Sequence, residues 1–185
     1  LYSFQQLLST PIVWIVFIFG SLLGSFLNVC IFRLPEGTFW KYSRSVCFSC
    51  KKKIPAWHNV PLLSYLVLRG RTHCCQKRIS SQYFWVELLT PVLFVLIYWR
   101  YPFITGQWGE TLGFQGNDFI RFFHAASFCS LMVICSFIDF RHMIIPDEIS
   151  LSMVALTPVV IYLHPELDLT SGLLGVLIGG GVIYL

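Results

Sequence analysis

The sequence predicts an all-α, polytopic membrane protein with about five transmembrane helices in its 185 residues and a cytoplasmic cysteine-rich loop. Three observations predict it. Hydrophobic residues make up 56% of the chain and charged residues 12%, about half the charge of an ordinary globular domain. The apolar residues fall in blocks of helix-spanning length. Ten of the thirteen Lys and Arg residues lie in one segment, 33–83, where Glu36 is the only acid.

The blocks are taken in chain order. Pro11 to Phe32 holds 22 residues without a charge, enough to cross a hydrocarbon core of about 30 Å as a helix. It is too long, and lacks the basic flank, for a cleavable signal peptide. A second block runs from Phe84 to Trp99 and a third from Phe119 to Ile138. The fourth, Ile149 to Leu163, is short, and is read either as a span helped by its neighbours or as a buried helix. The fifth, Gly172 to Leu185, is interrupted by the chain end. Because the chain begins with Leu and stops inside an apolar run, a C-terminally truncated fragment is expected. The division is residues 1–32, a first transmembrane helix; 33–83, a basic cytoplasmic loop; and 84–185, a helical bundle.

Orientation follows from charge. The basic loop is the cytoplasmic anchor under the positive-inside rule. That places 100–118, with Glu110 and Asp118, outside, the turn from Asp139 to Glu148 inside, and the loop with Glu166 and Asp168 outside. Trp14, Trp85, Tyr98 and Trp99 lie near span ends, where aromatic rings suit the headgroup region. Arg121 is expected to snorkel to the outer interface. Gly20 with Gly24, and Gly175 with Gly179, form small-xxx-small pairs that let helices approach closely. Lys51-Lys52-Lys53 reads as a solvated topology anchor. The lipid bilayer is the expected surrounding, and no nucleic-acid partner is expected.

Seven cysteines divide into two groups. Cys30, Cys129 and Cys135 lie in apolar spans as small packing residues. Cys47, Cys50, Cys74 and Cys75 lie in the basic loop, where a reducing compartment argues against disulfides. A C-x2-C knuckle followed about two dozen residues later by a second thiol group suits a tetrahedral Zn²⁺. A regular second knuckle would have Cys at position 72, which is Thr. Cys75 is well placed, and the fourth ligand is Cys74 or His73. Four reduced cysteines without metal are the alternative.

An aspartate closing an apolar helix is costly unless it is used or exposed. Asp139 follows the third block and is followed by apolar residues again, which places it within the membrane boundary. Asp147 is a poor local partner, because about 12 Å of helix would separate the two and Pro146 breaks any such helix. Asp147-Glu148 reads as the acidic start of the next helix. Glu87, one turn inside the second block, is the other buried acid, expected to pair with a base of the loop or to shape the site.

Several segments then resemble one family in order. They are Gly24-Ser-Phe-Leu-Asn-Val-Cys-Ile-Phe-Arg-Leu-Pro35, the Cys47 and Cys50 knuckle, Asn59-Val-Pro-Leu-Leu-Ser-Tyr65, Leu68-Arg-Gly-Arg71, Ile79-Ser-Ser-Gln-Tyr83, Glu87-Leu-Leu-Thr90, and Asp139 with Ile145-Pro-Asp147. The chain is similar to prepilin peptidases, the bifunctional leader peptidases and N-methyltransferases of type IV pilus and type II secretion systems. The resemblance implies a membrane-embedded aspartic endopeptidase of the bacterial inner membrane with a zinc-binding loop. It would cleave the leader of a prepilin or pseudopilin, then methylate the new N-terminus from S-adenosylmethionine. Asp139 matches the first catalytic aspartate. The second belongs to a Gly-x-Gly-Asp motif on a later helix, and Gly179-Gly-Gly-Val182 is not that motif. Asn28, Arg33 and the cysteine loop match the region associated with methylation, where no Gly-rich nucleotide loop is visible. Two other readings compete. One is a non-catalytic zinc-stabilised pseudoenzyme or assembly factor. The other is a transporter fragment using Asp139 and Glu87 as ion sites.

Overall fold

A computed structural model describes residues 10–39, 47, 50, 52, 55, 60–106, 112–163, 170, 174–175 and 177–178. Among them the chain is mostly helical: α1 (Pro11–Arg33), α2 (Leu63–Val67), α3 (Ser81–Arg100), α4 (Gly116–His142), α5 (Asp147–Ala155) and α6 (Thr157–Leu163). A two-stranded antiparallel ribbon, β1 (Ile104–Thr105) and β2 (Gly113–Phe114), joins α3 to α4 and was not anticipated from sequence. The expectations for Lys51, Lys53, Asn59, Glu110, Glu166, Asp168 and 179–185 lie outside the described residues.

Among the described residues, three helices, α1, α3 and α4, are long and apolar enough to cross a membrane. Each begins or ends beyond the apolar block that announces it, because hydrophobicity marks the span whereas caps end the helix. Pro11 starts α1 at its first position, where its missing N–H costs no intrahelical bond. Ser80 accepts the Gln82 amide at 3.3 Å to start α3. Met143, with φ 52°, ends α4 by donating its amide to the Asp139 carbonyl at 2.8 Å. Arg141 and His142 occupy that last turn, where positive charge suits the helix dipole.

The fourth apolar block differs from the single helix expected. It divides at Leu156 into α5 and α6. Pro158 has no amide hydrogen to carry the ladder across the junction. The fifth block is described only at 174–175 and 177–178, so the described residues show three long helices and one divided segment, and the expected fifth span lies mostly outside them.

α1 packs chiefly on α3, and glycine makes the approach close. A Cβ on Gly20 would stand 2.7 Å from Pro91 Cα, and one on Gly24 would stand 3.0 Å from Glu87 Cα. The Gly20–Gly24 pair is therefore a packing surface, as expected. One apolar cluster, including Val13, Val16, Phe94, Tyr98 and Phe122, fills the end nearest the ribbon. A second, including Leu27, Ile31, Val86, Ile134, Ile138 and Ile149, fills the other end. Trp14, Ile15, Ile18, Phe19, Leu22 and Phe26 leave a continuous exposed apolar face on α1, the face a lipid-exposed helix presents. Hydroxyls inside the helices bond their own backbone: Ser21 to Phe17, Thr90 to Val86 and Ser130 to Ala126.

One surface expectation changes. Tyr98 is buried, with its hydroxyl donating to the Ile104 carbonyl, rather than sitting among headgroups. Arg121 pairs with Asp118 at 3.5 Å one turn before it.

Candidate functional site

The four loop cysteines converge. Thr72 donates its amide to Lys77 at 2.8 Å and receives that of Gln76 at 2.9 Å, closing a turn that presents Cys74 and Cys75. Across from it, the Cys47 amide donates to the Lys52 carbonyl at 2.8 Å. The sulfurs of Cys47 and Cys75 lie 3.7 Å apart and those of Cys50 and Cys74 3.1 Å apart. All four Sγ atoms fall within 4.8 Å of one another. Tetrahedral zinc with Zn–S of about 2.3 Å requires sulfurs about 3.8 Å apart, so the donor set fits a metal of that kind. The group of metal-binding type found here contains Cys74 and not His73.

Thr72 has a task in this geometry. Its hydroxyl lies 3.1 Å from Cys75 Sγ and accepts the Lys77 amide at 3.1 Å. It thus supports the turn from the position where a regular knuckle would place a sulfur. The thiols also shift one another. Hydrogen bonding with Cys50, then with Cys47, pushes Cys74 up to about 12. The Thr72 hydroxyl holds Cys75 below the usual thiol range. A cation removes this conflict, because it favours all four thiolates together.

Asp139 lies in the last turn of α4, within the helix rather than after it. Ile138 beside it is fully buried, whereas Asp139 is exposed, so packing among the described residues does not enclose the carboxylate. Around the same end, Arg141 stands 4.6 Å over the Phe32 ring, which stacks on Tyr83 at 5.0 Å. Asn28, fully buried on α1, donates to the Tyr83 carbonyl at 3.1 Å. The ends of α1, α3 and α4 therefore meet near Asp139. Among the described residues, Asn28 Oδ1 has no hydrogen-bond partner.

Glu87 takes a backbone amide as its partner, where a loop base was one of two expectations. It is 7% exposed, and its carboxylate accepts the Leu62 amide at 2.8 Å. No base of the loop pairs with it among the described residues. Its sequence signal was an acid inside an apolar span; that its partner is a backbone amide 25 residues earlier was not legible.

The Bacterial Peptidase A24 N-terminal domain matches residues 18–101, and the Type IV leader peptidase family matches residues 126–185. A prepilin leader peptidase/N-methyltransferase of Vibrio cholerae is 34% identical over 162 residues, covering 83% of this chain and 58% of the relative. The chain belongs to the type IV leader peptidase family. Leader peptidase relatives of the same printed name occur in Neisseria gonorrhoeae, 30% identical over 91% of this chain and 62% of that protein, and in Xanthomonas campestris, 34% identical over 72% and 50%. The chain spans about half to two thirds of the length of these leader peptidases. No solved structure matches. The N-terminal family region includes all four loop cysteines and Glu87, and the leader peptidase region includes Asp139.

Proposed function

We propose that the protein is a membrane-embedded aspartic endopeptidase that removes the leader peptide of type IV prepilins or pseudopilins and methylates the new N-terminus. The reading rests on family membership combined with one observation: an exposed carboxylate, Asp139, at the end of a membrane-length helix where three helices meet. The bacterial inner membrane is the proposed location.

Asp139 acts as one of two carboxylates. In such a pair, one ionised group takes a proton from water as the water attacks the scissile carbonyl, and the protonated partner stabilises the oxyanion and later serves the leaving amine. One carboxylate cannot hold both states at once. The second is expected on a Gly-x-Gly-Asp, a motif that residues 1–185 do not contain. The placement of Asp139 suits a substrate whose scissile bond lies where an apolar segment enters the bilayer.

Cys47, Cys50, Cys74 and Cys75 are proposed to hold a structural Zn²⁺. The metal supplies cross-linking of the loop and no chemistry at Asp139. The methyl donor is assigned no residues. The cavity between α2 and the start of α3 is ringed by Arg69, Arg71 and Arg78, whose charge opposes a sulfonium cation.

The test is full-length protein with a prepilin substrate. Asp139→Asn should abolish leader cleavage while the protein remains in the membrane fraction and keeps its zinc. Cleavage at the wild-type rate by that variant removes Asp139 from the mechanism.

A further inference from the structure

A cavity of about 790 Å³ lies between α2 and the start of α3, and neither the carboxylate end of α4 nor the cysteine cluster uses it. Arg69, Arg71 and Arg78 line it, together with Tyr65, Val67 and Ser81. The three arginines have no acidic partner among the described residues, where Asp118 and Arg121 form the ion pair present. Moreover, Arg71 and Arg78 pair directly across an antiparallel bridge. Like charges directly opposite each other are destabilising. A bound anion offsets that cost, and guanidinium groups suit phosphate oxygens, which they can bind in pairs.

The surroundings select the kind of anion. Leu63, Leu66 and Val67 on α2 are 61%, 59% and 78% exposed, an apolar shelf adjoining the arginines. Ser81, the first residue of α3, lines the cavity, and Trp85 one turn further is 58% exposed. The cavity thus opens where a membrane-length helix begins, with positive charge beside exposed apolar residues. A free phosphate has no use for that shelf. A lipid uses both parts, its headgroup on the arginines and its chains along the apolar side chains.

We propose that this cavity binds the phosphate headgroup of an anionic phospholipid, and that the lipid docks the α2 segment against the bilayer surface. The site is separate from Asp139 and from the proposed zinc, and it does not depend on proteolysis.

The experiment is native mass spectrometry of purified full-length protein in neutral detergent, titrated separately with phosphatidylglycerol, phosphatidylcholine and glycerol 3-phosphate. Phosphatidylglycerol should be retained at concentrations roughly tenfold or more below those needed for phosphatidylcholine, given about one elementary contact per arginine. The double variant Arg71→Gln/Arg78→Gln should lose at least that factor, and Leu66→Ser/Val67→Ser should lose several-fold. Lys77→Gln, which removes a charge from the same turn outside the cavity, should leave retention unchanged. If the double arginine variant does not elute like the wild type, Arg69→Gln alone leaves the bridge intact and should still show a few-fold loss. Equal retention of the two lipids, or retention indifferent to the arginines, overturns the site. Glycerol 3-phosphate binding as tightly as phosphatidylglycerol overturns the lipid as its occupant.

Discussion

The carboxylate of Glu87 on α3 accepts the backbone amide of Leu62 at 2.8 Å, so a buried acid of a membrane-length helix holds the segment that precedes α2. Leu62 needs holding. Its φ of 61° is uncommon for a side chain of its size. Gly24 makes the arrangement accessible by letting α1 approach the Glu87 backbone. Glu87→Leu should therefore release the Leu62 amide, with a loss of about 1.5–3 kcal/mol, the range for hydrogen bonds to charged groups. Hydrogen exchange would show faster exchange at Leu62, and limited proteolysis would cut sooner near 60–67. Glu87→Gln, which keeps an acceptor, should show a smaller change. Unaltered exchange in the leucine variant removes this tie.

Close helix approach gives a second prediction. Gly20→Val places carbon against the Pro91 backbone, which cannot move aside as a flexible side chain would. The expected cost is about 1–3 kcal/mol, as for other overpacked sites, read as a lower unfolding temperature in detergent. Ser21→Ala lies beside it but bonds only its own helix, at Phe17, and should change stability little.

The cysteines give a third. Cys50→Ser and Cys74→Ser should each lower bound zinc from about one per chain to substoichiometric levels, while His73→Ala should retain it. Metal content of the purified protein, measured under reducing conditions, decides this. Absence of zinc from the wild type returns the cluster to four reduced thiols.

Alkylation of chelator-treated protein tests the local electrostatics. A thiol held low is more fully thiolate at a given pH and reacts sooner. At pH 8, Cys75 should therefore be modified before Cys74, whose ionisation is pushed up to about 12. Raising the pH should narrow the gap, because Cys74, held high by its thiol neighbours, gains thiolate as the pH climbs towards its raised value. Thr72→Val removes the hydroxyl beside Cys75 and should slow its modification. Peptide mapping of the alkylated protein gives the order.

The stack of Arg141 on Phe32 and of Phe32 on Tyr83 joins the α4 terminus to the other two helices. Phe32→Leu should remove both ring contacts, at a cost of about 1–2 kcal/mol. Leader cleavage should fall less than in Asp139→Asn, because no reacting group is lost. A cleavage rate as low as that of Asp139→Asn would show that the ring does more than hold the helix end.

The three long helices were legible because a bilayer demands long, mainly apolar runs, and such runs in Pro11–Arg33, Ser81–Arg100 and Gly116–His142 need no tertiary information to be seen. The cysteine spacing announced a metal-type cluster in the same way, since two groups of thiols at that separation suit one tetrahedral site. That Cys74 and not His73 falls in the cluster was beyond the sequence: adjacent residues differ in which way the turn points them, and the Thr72 hydrogen bonds that shape the turn are set only on folding. The division of the fourth block and the position of Asp139 inside α4 likewise depend on where backbone bonds end, which hydrophobicity does not report. Glu87 and Leu62, and Arg71 and Arg78, are separated along the chain, and their meeting is a property of packing. Composition thus determined the membrane and the ligand types by themselves, whereas tertiary structure decided which groups share one site, because proximity between distant residues is created by the fold.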